Sequence, residues 1–233
     1  MNRNMSENIV LLHGALGSKN QFKELTNILS KELNVLVFDF EGHGGKPITH
    51  DYSIDLFTEQ TLAFIKENKI QGAHIFGYSM GGYVGLNVAR KYNGVIGKIM
   101  TLGTKFDWTP AFAEQEVKML NPVKMQEKVP KFTKYLKKVH SERYWSHVVE
   151  QTAKMMSDLG NNPTLQEKEI MHIDNETLIG IGDLDKMVGH EESKRIANSL
   201  LKGQFKVIDN CPHPIEQVDK EELARIIIGF ITN

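Results

Sequence analysis

The sequence predicts an α/β fold: a doubly wound, mostly parallel six-stranded sheet with helices on both faces and a helical insertion over one edge. Three observations predict it. Short apolar runs alternate with segments of helix length, those runs are almost continuously apolar, and residues 107–171 carry helical pattern alone. Continuous apolar runs suit strands covered on both faces, and strand–helix alternation suits a parallel sheet joined by right-handed crossovers.

Strands are expected over 9–12, 35–38, 73–76, 98–102, 177–181 and 205–208, and helices near 20–32, 53–68, 81–92, 190–201 and 215–231. Crossovers of one hand bring every strand's C-terminal end to the same edge, where ligands bind in such sheets. Between the fourth and fifth strands the rhythm breaks. Pro110, Pro122, Pro130 and Pro163 divide an amphipathic helical pattern that contains no credible strand. The segment is too small for an independent core, so it is expected to lie as a cap over the strand ends. The chain therefore divides into a core domain, 1–106 and 172–233, and a cap insertion, 107–171.

Composition narrows the function classes. The 233 residues are 40% hydrophobic and 24% charged, with a net charge of −1. Such a chain has no global field to recruit nucleic acid or a membrane surface. The single cysteine, Cys211, rules out an intrachain disulfide and fits a reducing compartment. Ile9-Val10-Leu11-Leu12, the one apolar run before the first glycine, is too short for an export signal, and no run reaches membrane-span length. A cytoplasmic location is expected.

The chemistry enters at Gly77-Tyr78-Ser79-Met80-Gly81, followed by Gly82, between an expected strand and an expected helix. This is G-x-S-x-G in the context of a nucleophile elbow. A sharp, strained turn lifts the serine hydroxyl clear of the sheet, and the glycines remove side chains that would strike the neighbouring strand and helix. The following helix aims its first amides at a developing oxyanion.

With these residues the sequence resembles the α/β-hydrolase superfamily over nearly all of the chain outside the insertion. His13-Gly14 matches the family's H-G oxyanion loop, which implies that the amides of Ala15 and Met80 form the oxyanion hole. Asp39-Phe40-Glu41-Gly42-His43-Gly44 is similar to the family's D-x-R-G-H-G turn, with Glu41 in place of arginine and His43 read as structural. A serine needs a base and the base an orienting acid. The family order Ser, Asp, His selects Asp185, in a G-x-x-D arrangement after the fifth strand, over Asp183, with Asp107 in reserve. It selects His213, on the loop after the sixth strand, as the base, although Pro212 replaces the family's glycine and Glu216 falls early. The resemblance also implies six parallel strands without the family's first antiparallel hairpin, because only eight residues precede Ile9.

The remaining histidines (His50, His74, His140, His147, His172 and His190) have no metal-ligand spacing, and no glycine-rich phosphate cradle is present, so no metal and no cofactor are implied. Cys211 is read as supporting His213 and not as a nucleophile. Met119, Met125, Phe132, Tyr135, Met155 and Met156 are expected partly in the helix core of the cap and partly facing an apolar pocket.

The expected activity is hydrolysis of small or medium carboxylic esters or thioesters through an acyl-enzyme. Two alternatives stand beside it. One is carbon–carbon bond hydrolysis or elimination, as in relatives that carry an arginine just after the elbow, where this chain has Tyr83 and the first arginine on the following helix is Arg90. The other is a non-catalytic ligand-binding protein, against which the complete Ser-Asp-His set argues. Lys131, Lys134 and Lys138 recur at helical spacing beside Phe132, Tyr135 and Val139. They form either a solvated helix face or a docking surface for a carrier-bound acyl substrate.

Overall fold

The computed structural model describes residues 7–233. Six strands are found among them: β1 (Asn8–Leu12), β2 (Asn34–Val37), β3 (His74–Tyr78), β4 (Ile99–Leu102), β5 (Thr177–Gly182) and β6 (Gly203–Ile208). They form one sheet in the order β2-β1-β3-β4-β5-β6, and every pairing is parallel. After β1 the chain steps to one side to form β2, then returns to lay β3 on the other side. The strand order therefore reverses between β1 and β3, and in an open parallel sheet a crevice opens at that point beyond the strand ends.

Helices α1 (Lys23–Leu29), α2 (Ile54–Glu67) and α3 (Met80–Lys91) come from the first half of the chain. Then follow α4 (Pro110–Val117), α5 (Pro122–Lys128), α6 (Pro130–Asn161) and α7 (Glu167–Ile170), all between β4 and β5, and finally α8 (His190–Ser199) and α9 (Lys220–Thr232). Alternate residues of the central strands feed two separate apolar layers. Ile9, Leu11, Phe76, Met100 and Leu178 pack with Leu25 and Leu29 of α1 and Leu223 and Ile227 of α9. Val10, Leu12, Ile75, Ile99 and Ile179 face the other way, onto Phe57 of α2, Val84 and Val88 of α3, and Ile196 of α8. This double covering is why β1, β3, β4 and β5 read as continuous apolar runs. The edge strands do not follow it: β2 is only partly buried, and β6 alternates between exposed and sheltered residues before ending on buried Ile208.

Two expected helices are shorter than their pattern. The 20–32 segment opens with a 3₁₀ turn, Lys19–Phe22, capped by Ser18, and α1 ends at Leu29. The 215–231 segment is a separate turn, Ile215–Gln217, followed by α9, whose start is fixed by Asp219 accepting the amides of Glu221 and Glu222.

The prolines of 107–171 mark helix starts. Pro110, Pro122 and Pro130 each stand in the first turn of α4, α5 and α6, where a missing N–H costs nothing. Met125, Leu136, Trp145 and Val149 form a small cluster of their own, while Val148, Met155 and Leu159 join the main apolar layer. Helix α6 breaks at Ser141, where φ is +72°. Just before the break, buried His140 accepts the Gly44 amide at Nδ1 and donates from Nε2 to the Leu16 carbonyl. His13 and His43 lie beside it, with ring centroids 4.8 Å apart, and His43 and His140 are 5.5 Å apart. His13 donates to the Gly14 carbonyl and accepts the Phe40 amide. One buried imidazole cluster thus joins the insertion to the loops after β1 and β2.

Packing of α3 on the sheet demands glycine. A Cβ on Gly81 would stand 2.0 Å from the Leu12 carbonyl oxygen, and one on Gly77 would stand 2.4 Å from the backbone of Gly82. Both obstacles are backbone, so neither can swing aside.

Two stability predictions follow from this packing. Gly81→Ala is expected to cost about 3 kcal/mol or more in urea unfolding, at or beyond the upper end of overpacking effects. Gly229→Ala in α9, where an added Cβ meets nothing within 4 Å, is expected to stabilise by about 0.5–1 kcal/mol. Equal effects at the two positions would contradict the close approach. The second prediction concerns acid. Burial lowers His13 from 6.5 to about 4, against its bond to Gly14 and the charge of Asp39, and burial also lowers His43 and His140. These rings stay neutral when folded but take up protons when unfolded, so stability falls as pH drops below 6.5 and, for His13, keeps falling to about 4. Each ring contributes a slope of up to about 1.4 kcal/mol per pH unit. Unfolding free energies that stay flat from pH 6.5 to 4.5 would refute this.

Candidate active site

Ser79 occupies the turn from β3 into α3 with φ +51° and ψ −117°. Its amide donates to the Leu102 carbonyl at 2.8 Å, and its carbonyl accepts the Thr104 hydroxyl at 2.9 Å. The strained residue is thereby fastened to β4 and the loop behind it. Met80 is the first residue of α3, where helix amides lack partners within the helix. Ala15, just past β1, lines the same space as Ser79 and Met80. All three stand at the crevice between β1 and β3.

The loops after β5 and β6 bring the other candidates together. His213 Nδ1 donates to Asp185 Oδ2 at 2.8 Å, with side chains only 11% and 2% exposed. The second carboxylate oxygen of Asp185 accepts the amides of Met187 and Val188 at 2.8 and 3.0 Å. Burial alone would raise the Asp185 pKa, but the hydrogen bond and charge of His213 and these two amides outweigh it and hold the carboxyl below its usual value. Asp183 instead accepts the Cys211 amide, and Asp107 is paired with Arg195. Of the three candidate acids, the structure brings only Asp185 to His213.

Several supporting groups were not legible beforehand. The Tyr78 hydroxyl donates to the His213 carbonyl at 3.0 Å. Gly103 has φ +62°, and a Cβ there would come within 3.1 Å of both Asp185 Oδ2 and His213 Nδ1. The Leu184 amide donates to the Cys211 carbonyl, so the two loops are stitched through backbone. The Cys211 thiol is buried, and burial with the nearby Asp185 and Asp183 charges pushes it up to about 11. A thiol so hard to ionise does not serve as a nucleophile at neutral pH. Glu41, where relatives carry arginine, ties its own loop by accepting the Thr49 and His50 amides. His43 is fully buried, donates to the Glu41 carbonyl and stacks on Tyr52.

Two cavities flank Ser79. The larger, about 300 Å³, is lined by Ser79 and His213 together with Met119, Leu120, Phe132, Tyr135 and Met156 from the insertion. The smaller, about 40 Å³, is lined by Ser79 with Met80, Tyr83, Lys105, Trp108, Met155 and Leu159. Met125, by contrast, lies in the insertion's own cluster.

Residues 7–156 match the family model described as the alpha/beta hydrolase fold. RutD of Pseudomonas syringae pv. syringae is 35% identical over 83 residues, which are 35% of this chain and 32% of RutD, so that match spans about a third of its length. Proline iminopeptidase PfmaB of Pestalotiopsis fici is 25% identical over 93% of this chain and 88% of that protein. Among solved structures, MGS-M2, an alpha/beta hydrolase enzyme from a Medee basin deep-sea metagenome library, superposes with a TM-score of 0.82 at 19% identity, covering 100% of this chain and 91% of that one. The family match covers more than half of the chain, and the six-stranded parallel sheet with its helices agrees with that fold. This chain belongs to the alpha/beta hydrolase family.

Proposed function

We propose that the protein is a serine hydrolase of carboxylic esters or thioesters. The observation that carries this reading is the 2.8 Å Asp185–His213 pair facing the cavity that also holds the Ser79 turn. Because Nδ1 is engaged by Asp185, Nε2 is the nitrogen available to Ser79. His213 takes the Ser79 proton as Oγ attacks the carbonyl carbon, and the carbonyl electrons move onto oxygen, opposite the amides of Ala15 and Met80. The tetrahedral adduct collapses and expels the alcohol or thiol, which leaves with the proton from His213. A water molecule, deprotonated by the same nitrogen, then releases the acid and restores Ser79. Asp185 fixes the imidazole tautomer and stabilises the imidazolium.

The apolar lining supports an ester or thioester with hydrophobic parts, bound beneath the insertion acting as a cap. The lyase reading lacks its arginine here. Tyr83, where those relatives carry arginine, is uncharged and accepts the Leu165 amide, and Arg90 is held by Asn87 and Glu169; the cation that lines the Ser79 cavity is Lys105, from the loop after β4. Lys131 and Lys134 are exposed on α6, and Lys138 borders a surface groove with Lys23 and Lys220. The substrate we favour is a free small molecule, with the lysine face as a solvated surface.

A fluorophosphonate probe is expected to label Ser79 alone, and Ser79→Ala to lose the label and about 10⁴–10⁶ in kcat. Labelling that survives in Ser79→Ala would end the proposal. Asp185→Asn is expected to cost about 10⁴, because it permits the wrong imidazole tautomer, whereas Asp183→Asn keeps its acceptor for Cys211 and costs less than about tenfold. Kinetics of the two variants on one p-nitrophenyl ester decide the matter, and the reverse ranking would displace Asp185.

A further inference from the structure

Serine-hydrolase chemistry assigns the two cavities different roles, an inference that rests on the function proposed above. His213 must hand its proton to the leaving atom, so the leaving group lies on the side of Ser79 that His213 borders. His213 borders the large cavity, while the small one is formed without it. The alcohol or thiol therefore occupies the large apolar cavity, and the acyl chain points into the small one. The small space, about 40 Å³ against about 300 Å³, admits only a short acyl chain.

That small cavity is lined mostly by apolar side chains; besides Ser79 itself, the Tyr83 hydroxyl, which is engaged by the Leu165 amide, and the Trp108 indole, its charged group is Lys105. Lys105, on the loop after β4, has its ammonium 4.5 Å from the Phe112 ring centroid and hydrogen-bonded to Glu192, which is 6% exposed. Glu192 is fully engaged, because it also accepts the amides of Phe106 and Asp107. The ammonium has three donors, of which Glu192 takes one among the described residues. An alkyl chain entering here strips water from the other donors and returns no hydrogen bond, which is costly for a charged group. An acyl chain with an oxygen acceptor returns it.

We propose that the small cavity is an acyl subsite and that Lys105 makes it selective for short acyl groups carrying an oxo or carboxylate oxygen beyond the scissile carbonyl. Glu192 is a positioning residue: it holds the ammonium against the cavity wall and balances its charge, so that the pair is neutral before substrate arrives.

The test uses 1-naphthyl esters with one leaving group and three acyl groups: butanoate, 3-oxobutanoate and hydrogen malonate. Rates are normalised to each ester's own hydroxide hydrolysis, and the readout is the kcat/KM ratio of an oxygenated ester to butanoate. The wild-type ratio is expected to be about 10–100 for at least one oxygenated ester, the range for a hydrogen bond to a charged donor. The two oxygenated esters separate a carboxylate preference from a ketone preference. Lys105→Met is expected to bring the ratio to within about threefold of one. Lys105→Met with Glu192→Gln gives the same result while keeping a carbonyl acceptor for the Phe106 and Asp107 amides, so a folding defect from an unpaired Glu192 does not obscure it. Hexanoate is expected to be a poorer substrate than butanoate, since the subsite is full at short chain length.

A wild-type ratio near one, a ratio unchanged in both variants, or rates that rise from butanoate to hexanoate would overturn the acyl-subsite assignment while leaving the serine hydrolase intact. Failure of the wild type to turn over any of the esters, together with no fluorophosphonate label on Ser79, would overturn both.

Discussion

The turn from β3 to α3 holds Ser79 in a backbone conformation that a residue with a side chain adopts only at a cost of about 1–3 kcal/mol. The strain persists because the surroundings leave no alternative. Gly81 lies against the Leu12 carbonyl, Gly77 lies against Gly82, and the Ser79 amide and carbonyl are both bonded to the region of β4. If α3 moved away from the sheet by the length of a methyl group, the turn could relax and the hydroxyl would sink toward the strand ends. The glycines thus serve the site by letting backbone meet backbone, and their absent side chains set the height of the serine above the sheet.

Around that fixed point, parallel topology does the assembling. Ser79, Asp185 and His213 follow β3, β5 and β6, and a parallel sheet delivers all three loops to one edge. Delivery alone would leave the His213 loop loose, because β6 is a half-exposed edge strand. The Tyr78 hydroxyl on the His213 carbonyl, the Cys211 amide on Asp183 and the Leu184 amide on the Cys211 carbonyl tie it down. Catalytic hydrogen bonds depend on such support, since a displacement of about 1 Å can cost a hundredfold in rate. Tyr78 has a double place in this arrangement: it is the residue before the serine, and it braces the histidine.

How far the sequence discloses this depends on how local each signal is. The Ser79 turn and the four central strands were legible because each is written in a contiguous segment: an elbow motif with its flanks, or an apolar run covered on both faces. Asp185 was separated from Asp183 by family spacing alone, and only folding shows why. The two carboxylates lie two residues apart and point to different partners, one to His213 and the other to the Cys211 backbone. The Lys105–Glu192 pair and the tie from His140 to Leu16 and Gly44 join residues on different elements, and no local pattern encodes them. The edge strands misled in a smaller way. Apolar residues in β2 and β6 looked like those of the centre, but a strand with one neighbour has one flank open to water.

The division of the site into two cavities bears on the second half of the reaction. In the mechanism proposed above, the water that releases the acyl group is deprotonated by the same His213 nitrogen that protonated the departing alcohol, so it must stand where the alcohol stood. Departure of a leaving group from the 300 Å³ cavity therefore opens the route by which water arrives. An acyl chain held in the small cavity does not obstruct that route. A long acyl chain, unable to fit the small cavity, would have to fold back into the large one and occupy the path itself, leaving an acyl-enzyme that forms but is slow to hydrolyse. The proposed selection for short acyl groups would then act at deacylation as well as at binding. On that same proposal, the wall of Met119, Leu120 and Phe132 would favour a leaving group that is bulky and apolar.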